Sequence, residues 1–270
     1  MSQWILPRCA RTNIRKERMR LNETDDLYVE TIDGAAGRPV LVFLHEGLGS
    51  VALWRDFPRR VCEATSCAGI VYDRLGYGQS TPLRRERSIH YLHDYALQEL
   101  PAVLDQHLAG RPHIVVGHSD GGSIALIHAA GQPAGLRGIV TLAAHVIVED
   151  VTLDGIRAAR IAYDEGKLRA LERYHGAKTD QIFRAWADTW LRPAFAHWDI
   201  RYLLPSIACP VLALQGSADQ YGTVAQLEAI AAGAPRAQVR MLEGRGHAPH
   251  AETPALLVEL IAKFCREVAG

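Results

Sequence analysis

No apolar run in this chain of 270 residues reaches the roughly 18 consecutive residues that a membrane-spanning helix requires, and no secretory leader is expected, because no stretch has the composition of one. Excess charge of one sign is missing too. Lys plus Arg and Asp plus Glu number 30 each, so no global field points to nucleic acid or a membrane surface as partner. Cysteine is scarce. Cys9, Cys62, Cys67, Cys209 and Cys265 are odd in number and form no Cys-x-x-Cys or Cys/His spacing. That argues against a disulfide framework or a zinc site and favours a reducing, cytoplasmic compartment. There is no internal repeat, no low-complexity tract and no separate second domain. What remains, 48% hydrophobic and 22% charged, is an ordinary globular composition with enough length for a substantial core.

One local excess stands out. Between Arg8 and Arg20 the chain carries Arg11, Arg15, Lys16 and Arg18 against Glu17 alone. A transit peptide or a basic binding arm would carry such a run. A disordered tail over residues 1–20, or a natural start at Met19 downstream of it, needs fewer assumptions, and the tail is the expectation.

The chain is organised around Ile114-Val115-Val116-Gly117-His118-Ser119-Asp120-Gly121-Gly122-Ser123-Ile124-Ala125-Leu126. A short β-branched run meets a Gly-x-Ser-x-Gly turn and then a small-residue helical segment. Exposing a serine hydroxyl on so sharp a turn requires a strained backbone at Ser119, and Gly117 and Gly121 let strand and helix approach without Cβ clashes. The following helix start aims unpaired N–H groups at the same place. Ser119 as a plain helix N-cap would leave the glycine pair unexplained.

Around this stretch, strand-like and helix-like segments alternate. Leu27–Ile32, Val40–His45, Gly69–Asp73, Leu136–Ala143, Val211–Gln215 and Ala237–Leu242 read as strands. Val40–His45 is too apolar to have a wet face, hence central. Ala52–Thr65 reads as a helix, His90–Leu108 as one that Pro101 kinks, Thr223–Ala232 as one opened by a capping box with Gln226, and Pro254 starts a closing helix. Alternation of this kind implies a mostly parallel sheet covered on both faces, an α/β class. From Val146 to Ile207 the pattern changes to helical segments only, an all-helical insertion.

A serine hydroxyl becomes a good nucleophile when a base takes its proton and a carboxylate orients that base. Asp219 and His247 each follow a predicted strand, at the edge where open α/β sheets form ligand crevices. They come after Ser119 in the order Ser…Asp…His. His250 is a rival to His247, and Asp219 also suits a turn. Glu149-Asp150 read as a solvated helix entry, with a substrate or hinge role as the alternative.

With HEGLGS after the first central strand, then DRLGYGQS, GHSDGG, GSADQYGT and GHAPH, the chain from about residue 27 onward resembles the α/β-hydrolase fold superfamily, serine-esterase-like with a helical cap. The resemblance implies Ser119 as nucleophile, His247 as general base and Asp219 as the carboxylate that fixes the imidazole. It implies an oxyanion hole made by the backbone N–H groups of Asp120 and Gly47. Glu46 departs from the family's usual His-Gly-x, which marks it as a possible substrate contact. A nucleophilic aspartate, as dehalogenase-like relatives use, would have to stand at position 119, so Asp120 is not read as one. His45 and His118 read as packed supports. The resemblance divides the chain into a core of 21–145 and 206–270 and a cap of 146–205. Trp186 and Trp190 of the cap, with Trp54 on the oxyanion side, are candidate substrate contacts or parts of their own apolar cores. No cofactor and no metal are implied. The expected partner is a small-molecule substrate, with the protein a monomer or homodimer. The expected reaction is hydrolysis of a small carboxylic ester or lactone through an acyl-enzyme. The alternatives are C–C bond hydrolysis of a diketone-like ring-cleavage product with the same residues, and a ligand receptor with little turnover.

Overall fold

The computed structural model describes residues 13–268. Its strands are β1 (Ile14–Arg20), β2 (Asp26–Ile32), β3 (Val40–Leu44), β4 (Ala68–Asp73), β5 (His113–His118), β6 (Leu136–Leu142), β7 (Val211–Gly216) and β8 (Ala237–Leu242). They form one sheet of eight in the order β1-β2-β4-β3-β5-β6-β7-β8. From β4 to β8 neighbours run parallel, while β1 and β2 are an antiparallel edge.

The main helices are α1 (Phe57–Thr65), α2 (Leu100–Leu108), α3 (Asp120–Ala130), α4 (Asp150–Asp164), α5 (Thr179–Trp190), α6 (Val224–Gly233) and α7 (Pro254–Val268). Side-chain alternation along β3 explains the layering. Val40, Val42 and Leu44 face α2, α3 and α6, whereas Leu41 and Phe43 face α1 and α7. Every residue of β3 and β5 is buried, so neither strand has a wet face.

Three expectations need correction. Residues 14–20 are not a disordered tail: they form β1, paired residue for residue with β2 from Ile14–Ile32 to Arg20–Asp26. Its charges still find water, because β1 is exposed except at Met19. The rest of the expected tail, residues 1–12, lies outside the described residues. The helix expected over Ala52–Thr65 is broken into a 3-10 turn, Val51–Trp54, and α1. Pro58, with no N–H to give, fits only the first turn of a helix and sets the new start. The capping box at α6 is half formed: Thr223 caps the Ala225 N–H, but the Gln226 side chain turns away to the Val146–Glu149 segment. Before α2, the sequence's Pro101 is preceded by a π-helical turn, Tyr95–Glu99, that continues a short helix, Tyr91–Asp94.

Between β6 and β7 the described residues hold helices and turns only, α4 and α5 with short pieces around them, plus one isolated bridge. The Val148 N–H donates to the Trp198 carbonyl and the Ile200 N–H to the Val146 carbonyl, so the excursion leaves and returns at one place. The 3-10 turn Arg201–Ser206 then carries the chain back along the sheet to β7.

Candidate active site

The chain goes from β3 to β4 on one side and then to β5 on the other, so a crevice opens beyond the C-terminal ends of β3 and β5. Ser119 stands there, between β5 and α3, at φ 52 and ψ −116. A non-glycine residue in that region is strained and is held only by its surroundings. A Cβ on Gly117 would overlap the Gly121 carbonyl, and one on Gly121 would overlap the Leu44 carbonyl. The two glycines are therefore required by the closeness of helix and strands.

His247 lies in the turn after β8, with its Nε2 2.9 Å from Ser119 Oγ. Its Nδ1 is 2.9 Å from each oxygen of Asp219, in the turn after β7. Both Asp219 oxygens accept, so Nδ1 bears the hydrogen and Nε2 presents a lone pair to the serine hydroxyl. Asp219 also accepts the Tyr221 N–H at 2.8 Å, which fixes its plane. His250 is not at this place. It is buried between Trp54, Phe57 and His118, and burial pushes its imidazole down to about 4. His118 donates Nε2–H to the His247 carbonyl at 2.8 Å and so holds that turn from behind.

Across from His247 lies the loop after β3. A Cβ on Gly47 would collide with the Trp186 indole and sit 3.4 Å from Asp120 Cγ, so loop and helix start adjoin. Asp120 is the first residue of α3, where an amide has no helical acceptor. The Glu46 carboxyl accepts the Leu48 N–H at 2.9 Å, and burial raises its pKa above the ordinary carboxylate value. His45 accepts the Arg74 N–H at Nε2 and donates from Nδ1 to the Glu46 carbonyl, so it is a support within the loop.

A buried network stands behind these groups. The Arg74 guanidinium is fully buried, donates to the carbonyls of His45 (3.1 Å) and Glu46 (2.8 Å), and lies 3.8 Å from Asp120 Oδ2. Tyr91 donates to the same Asp120 oxygen at 2.8 Å and accepts from Trp190 Nε1 at 2.8 Å. The faces of Tyr77 and Tyr95 cover Arg74. Sequence reasoning passed over this network. Its signal was present in Arg74 of DRLGYGQS and in Tyr91, Tyr95 and Glu99, spaced four apart on one helical face.

A cavity of about 640 Å³ opens above Ser119, bounded by the core loops and by α4 and α5. Trp186 and Trp190 line it, and Trp190 also packs on Phe195 and Trp198, so it serves both the cavity and the aromatic cluster of the helical segment between β6 and β7. Trp54 does not line it. Its indole is buried against Phe43, Phe57 and His250, because the turn at Val51–Trp54 points it under the loop.

The excursion is tied down at two places. Glu149, expected in solvent, accepts from the Thr223 N–H, the Thr223 hydroxyl and the Gln226 amide. Asp150 is exposed in the first turn of α4. On the other side His175 accepts the Gly78 N–H at Nδ1 and donates Nε2–H to the Leu48 carbonyl, while Lys178 donates to the carbonyls of Tyr77 and Ser80. Among the described residues no group of three or more His, Cys, Asp or Glu side chains is placed to hold a metal ion, and no helix is long and apolar enough to cross a membrane.

Comparison with known proteins agrees with this architecture. The profile of the alpha/beta hydrolase family matches residues 41–260. A 2-succinyl-6-hydroxy-2,4-cyclohexadiene-1-carboxylate synthase of Serratia proteamaculans (strain 568) is 31% identical over 165 residues, 61% of this chain and 58% of that relative. The match thus spans less than two thirds of the relative's length. Two solved structures resemble the whole fold at low identity. The 2-hydroxy-6-oxo-6-phenylhexa-2,4-dienoate hydrolase of Rhodococcus sp. strain RHA1 superposes with a TM-score of 0.79 at 14% identity, covering 94% of this chain and 99% of that one. An esterase of Rhodococcus sp. ECU1013 superposes with a TM-score of 0.73 at 20% identity, with the same coverage of both chains. With the family profile spanning most of the sheet and its crevice, the chain belongs to the alpha/beta hydrolase family.

Proposed function

We propose that the protein is a serine hydrolase that cleaves a small carboxylic ester or lactone through an acyl-enzyme. One observation carries this reading: the His247 ring bridges Ser119 Oγ and Asp219 at 2.9 Å on each side, at the floor of the cavity. In the proposed sequence His247 takes the hydroxyl proton as Ser119 Oγ bonds to the carbonyl carbon. The electron pair displaced onto the carbonyl oxygen is met by the amides of Asp120 and Gly47. As the carbonyl re-forms, the bond to the leaving alkoxide breaks, and His247 returns the proton to it. Water, deprotonated by the same imidazole, then releases the acid and restores the serine. Asp219 keeps the ring in the required tautomer throughout.

The Serratia relative makes, by its name, a carboxylate. Extending that activity to this chain would call for a cation near Ser119, and the described residues of the cavity lining include no lysine or arginine. C–C bond hydrolysis and ligand reception remain outcomes of the test. That test is hydrolysis of short-chain p-nitrophenyl esters by wild type and Ser119→Ala, with mass spectrometry after a fluorophosphonate probe. An adduct on Ser119 and loss of turnover in the variant are expected. Unchanged turnover in Ser119→Ala overturns the assignment, and labelling without ester turnover moves the reading to C–C cleavage or reception.

A further inference from the structure

The cavity above Ser119 has one sign of fixed charge. Among the described residues, its side chains include the carboxyls of Glu46, Asp120 and Glu252, and neither a lysine nor an arginine. Two of the histidines in its wall, His118 and His145, are held toward the neutral form by burial. Two guanidinium groups, Arg74 and Arg87, are buried in the protein and are not among the residues that line the cavity. Arg74 is buried behind the wall on Asp120 and on the carbonyls of His45 and Glu46. Arg87 is buried further back against the rings of Tyr77 and Tyr91. Asp120 is thereby matched by Arg74 and Tyr91, and Glu252 is exposed and holds the Gly246 N–H. Glu46 differs from both. Its hydrogen bond to the Leu48 N–H uses Oε2, which leaves Oε1 as the oxygen a ligand would meet in the cavity that Ser119 also lines.

Resting on the serine-hydrolase reading above, we infer that this cavity selects substrates without negative charge, and that Glu46 sets the selection. A carboxylate or sulfonate brought into the cavity would lose its water and gain no cation, with the Glu46 carboxylate as its neighbour. A neutral acyl group meets the apolar wall of Leu48, Ile156, Ala159 and Leu171 at no such cost. An ammonium or hydroxyl group on the substrate would find in Glu46 an acceptor ready to take a hydrogen bond. Discrimination of this kind works by repelling the wrong ligand as much as by holding the right one.

The test uses three phosphonate esters of one shape, bearing a neutral, an ammonium and a sulfonate tail, and reads the second-order rate at which each modifies Ser119 in the full-length protein. We expect the sulfonate to react about tenfold or more slowly than the neutral probe, and the ammonium at least as fast as the neutral one. Glu46→Gln, which keeps the shape and removes the charge, should narrow both gaps. A sulfonate probe as fast as the neutral one in wild type overturns the inference while leaving the hydrolase reading intact. Gaps that persist unchanged in Glu46→Gln overturn the assignment to Glu46. If no probe modifies Ser119, the hydrolase reading fails and this inference falls with it. Because the wild-type series alone reads the charge preference, the test survives a Glu46→Gln variant that does not fold.

Discussion

At the scale of single residues, Arg74 joins the parts of the site that come from distant segments. It holds two carbonyls of the loop after β3 and the carboxylate at the start of α3. Arg74→Met would leave Asp120 buried without its cation, a change that costs about 3–5 kcal/mol when a buried pair is broken on one side. Arg74→Met combined with Asp120→Asn should recover a large part of that loss, since the stranded charge is gone. Urea denaturation of the single and double variants measures it, and equal stabilities would show that the pair is not coupled. Asp219→Asn carries a different expectation. The amide can no longer fix the His247 tautomer, so kcat on an ester should drop by about 10⁴-fold while the fold stays intact. Circular dichroism and ester kinetics on the same preparation separate these effects.

At the scale of elements, the elbow at Ser119 leaves no room for a side chain at its glycines. Gly121→Ala would drive a methyl group into the Leu44 carbonyl of β3, and no side-chain rotation relieves a clash with backbone. We expect insoluble or unfolded protein on expression, and a soluble, native-like variant would contradict the geometry. Glu149→Ala should be milder. It strips the start of α6 of an acceptor and frees Gln226, at about 1–2 kcal/mol, and hydrogen exchange at the start of α4 and α6 should quicken.

The sequence made the central elements legible because their signals are local. The β-branched run before Gly117 and the uniformly apolar Val40–Leu44 can only be buried strands. Ser119, Asp219 and His247 stand out as candidates because each lies in the turn after a strand at the same sheet edge. Other features depend on partners far away in the chain. The near-continuous charge of Ile14–Arg20 hides a strand that exists because β2 offers it an edge. Gln226 is drawn from its box by Glu149 and the backbone of residues 146–147. Trp54 looks like a substrate contact until the turn around it directs the ring beneath the loop.

At the scale of the molecule, the histidines make stability depend on pH. His128 and His250 are pushed down to about 4 by burial, whereas an unfolded histidine titrates near 6.5. Between these values the unfolded chain binds more protons than the folded one, so stability rises with pH. The contribution is complete above about pH 6.5 and is lost as pH falls toward about 4, on the order of 3 kcal/mol for each of these two residues. His45 and His118, also held well below the ordinary value by burial, add to the loss in the same direction. Urea titrations between about pH 7.5 and about pH 5 should show a falling midpoint, less steeply so in His250→Gln, and a flat profile would contradict the burial. The sheet edge supplies a second expectation. A chain started at Met19 lacks most of β1 and leaves β2 as an open edge, so Tm should fall by about 5 °C or more and self-association should rise.

The paired hydrogen bonds between Val146–Val148 and Trp198–Ile200 make the segment between them a cassette. Its two ends are clasped at one point above the sheet, and the crossover to β7 is completed afterwards by a separate turn. The sheet therefore does not sense the cassette's length, and closing a loop twice as long costs only about 0.6 kcal/mol more. The segment still touches the site beneath it, because Trp190 donates to Tyr91 and Tyr91 to Asp120. A segment of another shape should be accepted there, provided that the clasp is kept and the new piece again reaches the Leu48 carbonyl and the Tyr91 hydroxyl.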